Sequence, residues 1–76
     1  MPRYRVMQSF TAKQLDGQHT RTVVTGEELV LLRWMGEEHE RIAIFVVSHG
    51  SVAGIHGPAY EATRDLFEAS TDVVED

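Results

Sequence analysis

The sequence contains no cysteine and only two prolines in 76 residues. The absence of cysteine excludes a disulfide framework and any metal site built on thiolates. No stretch approaches the roughly 20 consecutive apolar residues that cross a bilayer as a helix. Arg3 and Arg5 lie near the N-terminus, but no apolar core follows them as it does in a secretory signal peptide. We therefore expect a cytoplasmic protein.

Basic residues are scarce, because 7 Lys and Arg face 12 Asp and Glu and the formal net charge is −5. Residues 1–36 carry five basic and three acidic groups, whereas residues 37–76 carry two basic and nine acidic groups. Phosphate backbones bind proteins mainly through Lys and Arg, so direct nucleic-acid binding is not expected. The acidic half favours a basic partner or head-to-tail self-association, although solubilising surface charge is the simpler interpretation.

Two apolar runs, residues 29–35 and 42–47, are separated by a short polar break. The break contains Gly36 and three glutamates and predicts an exposed turn, so the two runs predict a β-hairpin. A strand with one wet face alternates apolar and polar residues, and these runs hardly alternate. We therefore expect both faces of this hairpin to need cover, from the chain itself in a closed barrel, from a second copy, or from a partner docked on an apolar surface.

Further strand patterns lie on both sides of the hairpin. Residues 3–10 alternate in polarity, and residues 20–25 are rich in β-branched side chains. Val52 and Ile55 predict a short fifth strand after the hairpin. Because no helical crossover separates the strands, the sheet should be antiparallel. The predicted fold is mainly β, with five short strands in a strongly bent sheet or an SH3-like barrel, or else a flatter sheet that dimerises.

Residues 58–70 predict a C-terminal helix. Pro58 suits the first helical position, and apolar side chains recur at helical spacing after it. The apolar residues expected to pack on the sheet are Tyr60, Leu66 and Phe67. The acidic residues expected on the opposite, solvent-facing side include Glu61, Asp65 and Glu68. A single β-rich domain should span residues 1–72, with residues 73–76 as an acidic, frayed tail.

Four histidines raise the question of a metal or catalytic site. A tight turn between His49 and His56 would bring two imidazoles together, which can hold a transition metal. Their spacing matches no established metal-binding motif, so exposed loop residues are the plainer interpretation, and no cofactor is expected. Ser48 and His49 are adjacent and would point to opposite faces of a strand, which is poor geometry for nucleophilic catalysis. We do not expect an enzyme.

A protein-interaction module is the function that these patterns favour, such as an adaptor, an inhibitor or an antirepressor. The residues expected to contact a basic partner are Trp34, Glu37, Glu38 and Glu40 near the hairpin tip, and Glu61, Asp65 and Glu68 on the helix. Trp34 qualifies only if its ring faces outward, because an inward ring belongs to the core. The alternatives are a homodimer that buries the second face of the hairpin, and a metal- or ligand-binding domain that uses His49 and His56.

Overall fold

The computed structural model describes residues 2–48 and 57–75. Its elements are β1 (Arg3–Val6), β2 (Phe10–Gln14), β3 (Thr20–Val23), β4 (Glu28–Met35), β5 (Ile42–Val47), β6 (Tyr60–Thr63), α1 (Arg64–Ser70) and β7 (Thr71–Glu75). The strands form one seven-stranded antiparallel sheet in the order β3-β2-β6-β5-β4-β1-β7. Within the described residues, no helix combines the length and apolar composition needed to cross a membrane.

A short connection forces this sheet to curl. The chain from Val6 in β1 to Phe10 in β2 reaches at most about 14 Å. In the sheet these strands are four positions apart, which would be about 19 Å if the sheet were flat. The amide of Gly26 donates to the carbonyl of Val6, and the amide of Val6 donates to the carbonyl of Glu27, both at 2.8 Å. These bonds fasten the β3–β4 connection to the end of β1 and give a half-barrel with a concave inner face.

The core lies on the inner face, where each strand from β1 to β6 contributes alternate residues. Its buried members are Val6, Phe10, Ala12, Val23, Leu29, Leu31, Ala43, Phe45, Val47, Tyr60, Ala62 and Phe67. Phe67 anchors α1 in this core and is fully buried. Its ring centroid lies 4.9 Å from Tyr4, 5.9 Å from Trp34 and 5.5 Å from Phe45. One aromatic side chain of α1 therefore connects three strands of the half-barrel.

The apolar hairpin predicted from the sequence is confirmed as β4 and β5. Leu31 pairs with Phe45 and Arg33 pairs with Ile44, so Leu32 is an extra residue that forms a β-bulge in β4. Because of the bulge, Leu29 and Leu31 before Leu32 and Trp34 after it all point to the inner face. A bulge also bends and twists its strand, which suits a curled sheet.

The outer face of β5 is buried as well. Ile44 and Val46 are only 2% and 3% exposed, although neither belongs to the core cluster on the inner face. Met35, on the same outer face of β4, is 44% exposed. The expectation that both faces of the hairpin need cover is thus met for β5 within one chain.

The predicted helix over residues 58–70 was wrong at its start, because α1 begins only at Arg64. Residues 60–63 form β6 instead, where Tyr60 and Ala62 are buried and alternate with two more exposed residues. The apolar spacing there fits both a helix and a strand, and the pairing of β6 with β2 and β5 decides in favour of the strand. Thr63 caps α1, since its hydroxyl accepts a hydrogen bond from the amide of Leu66 at 3.4 Å.

The strand count and the C-terminal tail also differ from the prediction. The described residues contain seven strands rather than five, partly because residues 3–10 divide between β1 and β2. The SH3-like comparison depended on five strands and loses that support. Residues 73–75 are not a frayed tail, because they pair with β1 as part of β7. The predicted strand around Val52 and Ile55 lies outside the described residues.

Candidate functional site

The loop between β4 and β5 is held in a tight turn. The amide of Glu40 donates to the carbonyl of Glu37 at 2.9 Å. Gly36 has a φ of 88°, and a Cβ at this position would lie 2.6 Å from the carbonyl oxygen of Glu40. Glycine is therefore required here for two reasons, namely its left-handed conformation and the close approach of the backbone. The turn presents exposed carboxylates at the tip of the hairpin.

The pairing of β5 with β6 brings this loop to the start of α1. Ile42 pairs with Thr63, the last residue of β6. The amide of Arg64 then donates to the carbonyl of Arg41 at 2.9 Å. Two segments that are more than twenty residues apart in the sequence are thereby joined by backbone hydrogen bonds.

An open cleft of about 510 Å³ lies between the loop and the start of α1. It is lined by Glu38, His39, Glu40, Arg41, Ile42, Thr63, Arg64 and Asp65. All of these residues except Ile42 are exposed to solvent. We call this feature the tip cleft.

Three carboxylates and two arginines, Arg41 and Arg64, line the tip cleft, so acidic groups exceed basic ones by one. Arg64 donates to Glu68 at 2.7 Å, so its charge is already matched within α1. This hydrogen bond, together with the negative charges of Glu68, Asp65 and Glu38, raises the pKa of Arg64 above its ordinary value. Within residues 2–48 and 57–75, no salt bridge engages Glu38, Glu40 or Asp65. The carboxylates of the tip cleft therefore remain available to an external cation.

The structure brings together three of the carboxylates singled out in the sequence. Glu38 and Glu40 line the tip cleft from the loop, and Asp65 lines it from α1. Glu37 belongs to the same turn. Glu61 does not join them, because it lies in β6 and is half-buried. The predicted acidic stripe of the helix is accordingly reduced to Asp65 and Glu68.

Trp34 faces inward. Its ring meets Phe67 edge-on at 5.9 Å, and it packs against the core cluster while remaining partly exposed. The bulge at Leu32 sets this orientation. The condition under which Trp34 would contact a partner is not met, so its role is to complete the core at the tip end of the hairpin.

His49 and His56 lie outside the described residues, so the structure does not place the predicted metal candidates. Among the residues that are described, no three His, Cys, Asp or Glu side chains are grouped to hold a metal ion. His39 lines the tip cleft together with Thr63 and Arg64. Sequence analysis missed these three residues, because only the pairing of β5 with β6 brings them to one place.

Comparisons with known proteins give no relative for this chain. No family model, no curated protein and no solved structure matches it.

Proposed function

We propose that this protein is a cytoplasmic protein-interaction module, not an enzyme, that binds a basic surface of another protein through the tip cleft. The observation that carries the proposal is the meeting of Glu38, Glu40 and Asp65 at one concave place. Their side chains are exposed and form no salt bridge with the described residues. Lys or Arg side chains of a partner would supply the missing counter-charges.

Backbone hydrogen bonds within and between the walls of the tip cleft support recognition by preformed geometry. One wall is a turn fixed by the bond between Glu37 and Glu40, and the other is the first turn of α1. The hydrogen bond from Arg64 to Arg41 joins the two walls. A preorganised acidic site loses little conformational entropy on binding and steers a basic partner toward itself.

The alternative homodimer has less support. It was expected to bury the outer face of the hairpin, but Ile44 and Val46 on that face are already buried in one chain. A second copy would therefore cover little of β5.

A paired-variant experiment tests the proposed function. Immobilised protein would be used to capture a partner, which would then be purified and its Kd measured at several salt concentrations. The variant E38Q/D65N removes two carboxylates of the tip cleft, and D16N/E61Q removes the same charge elsewhere. We expect the first variant to weaken binding about tenfold at low salt and to flatten the salt dependence, because interfacial charges act this way.

The matched variant D16N/E61Q should keep nearly the wild-type Kd, since neither residue lines the tip cleft. Equal affinities for wild type and E38Q/D65N would overturn the proposal. An equal loss in both variants would also overturn it, because that result would mean that net charge rather than the cleft governs binding.

A further inference from the structure

β7 lies at one end of the sheet. Among the described residues, only β1 pairs with β7. In an edge strand, alternate backbone N–H and C=O groups point away from the sheet and can pair with another strand. The described chain therefore leaves the outward edge of β7 open.

The side chains of β7 are also uncovered. Only Thr71 is buried, and the following residues 72–75 are exposed. Val73 is 54% exposed and Val74 is 45% exposed. Val73 pairs with Tyr4, whose ring packs edge-on against Phe67 at 4.9 Å. An apolar side chain placed beside Val73 would thus extend the existing core.

The charge of this edge indicates which kind of strand it accepts. Asp72 and Glu75 pair in register with Arg5 and Arg3 on the outer face. Glu75 reaches Arg3 at 3.6 Å, whereas no salt bridge engages Asp72 within residues 2–48 and 57–75. β7 itself carries these two acidic residues and no basic one. A strand added at this edge would lie directly beside them, one strand further from Arg3 and Arg5, so the edge favours a basic ligand.

We propose that β7 binds an extended segment of a partner protein as an added strand, in which apolar and basic residues alternate. The apolar side chains would cover Val73 on the inner face, and the basic ones would lie beside Asp72 on the outer face. Main-chain hydrogen bonds would supply affinity and the alternation would supply specificity, as in other cases of strand addition. This site is separate from the tip cleft and does not depend on it.

A second copy of this chain fits the site less well. Pairing β7 with β7 would bring two acidic regions together, which opposes association. The other edge strand, β3, presents Thr20 and Thr22 on its outer face, and its Arg21 is already bound to Glu27 at 2.9 Å. Neither edge of a second copy supplies the alternating apolar and basic pattern.

Synthetic peptides test this proposal. One peptide alternates lysine with valine, a second has the same composition with the valines grouped together, and a third is the alternating peptide with N-methylated amides. Kd would be measured by fluorescence anisotropy, and backbone amide shifts would locate the contact. We expect the alternating peptide to bind about tenfold more tightly than either control and to shift the amides of β7 and β1.

A pair of variants then localises the binding. Val73→Thr keeps the β-branched shape and removes apolar surface, so we expect about a fivefold loss of affinity. Val24→Thr is the matched control, since Val24 is 49% exposed but lies outside β7, and its affinity should equal that of the wild type. The E38Q/D65N variant should also bind normally, which separates this site from the proposed function.

Three results would overturn the proposal. Equal binding of the alternating and grouped peptides would mean nonspecific charge attraction. Unchanged affinity in a folded Val73→Thr variant would place the contact elsewhere. Self-association with β7 amides protected in the absence of peptide would show that a second copy occupies the edge.

Discussion

Gly36 illustrates how one residue controls the geometry of the tip cleft. Its φ of 88° suits glycine, and Gly26 has a similar φ of 97°. The two positions differ in their surroundings. A Cβ at Gly36 would collide with the Glu40 carbonyl, whereas a Cβ at Gly26 would meet nothing within 4 Å. This pair allows the cost of the backbone conformation to be separated from the cost of the collision.

We predict that Gly36→Ala destabilises the protein more than Gly26→Ala. The left-handed conformation alone costs an alanine about 1–2 kcal/mol, and this is the full effect expected at Gly26. The collision with backbone at Gly36 should add to this and disturb the turn from Glu37 to Glu40. Urea unfolding of both variants measures the difference, and equal losses would show that the loop relaxes without cost.

Asp16 gives a pH-dependent prediction. Its carboxylate accepts hydrogen bonds from the amides of Gln18 at 2.8 Å and His19 at 3.3 Å, and it lies 2.8 Å from Nδ1 of His19. The bond from Gln18 is the largest of the effects that hold the pKa of Asp16 below its ordinary value. The ionised form therefore stabilises the folded state, so this contribution is present above the ordinary pKa and is lost as the pH falls through the lowered one.

Unfolding free energies of the wild type and Asp16→Ala, measured over the acidic range, should thus converge as the pH falls. His19→Gln serves as a control, because it leaves the bond from Gln18 in place and should keep most of the pH dependence. Parallel curves for the wild type and Asp16→Ala would contradict the prediction.

The secondary-structure elements show where sequence patterns suffice. The β4–β5 hairpin was predictable because its long apolar runs and glycine-containing break admit no other simple interpretation. β6 was not predictable, because the spacing of Tyr60 and Ala62 fits both a helix and a strand. Only the pairing with the neighbouring strands β2 and β5 decides between them. β7 was missed because an acidic terminus usually frays, although Thr71, Val73 and Val74 are β-branched and could have indicated a strand.

Phe67 is the residue through which α1 packs into the core. We predict that Phe67→Ala costs about 3–5 kcal/mol, which is typical of a buried phenylalanine, whereas Leu66→Ala costs far less, because Leu66 is 40% exposed. Thermal unfolding of both variants compares neighbouring positions in one helix. Similar losses would mean that α1 is held by something other than its aromatic contacts.

In the whole molecule, the tip cleft is formed by two regions that are distant in the sequence. Predicting the tip cleft would have required the pairing of Ile42 with Thr63, which no local pattern of the chain specifies. Glu37, Glu38 and Glu40 could be named from the sequence because three like charges in one short polar break are tolerated only in water. Their grouping with the carboxylate of α1 could not, since it depends on β6 entering the sheet between β2 and β5.

We predict a monomer in the absence of a partner. Self-association was expected in order to cover the outer face of the hairpin, but Ile44 and Val46 on that face are already buried. Native mass spectrometry at several concentrations measures the number of subunits. Ile44→Asp should destabilise the fold by placing an unpaired charge in a buried position, without changing the subunit number. A wild-type dimer that this variant splits into folded monomers would contradict the prediction.

The bulge at Leu32 has a consequence for how the length of this chain can vary. Leu31 and Arg33 already occupy successive positions opposite Phe45 and Ile44, so removal of Leu32 would leave an uninterrupted strand. Every remaining side chain of β4 would keep its present face. Deletion of one residue from a core strand normally moves the side chains on one side of the deletion to the opposite face of the sheet. A relative that lacked Leu32 would instead share this core and have a straighter hairpin.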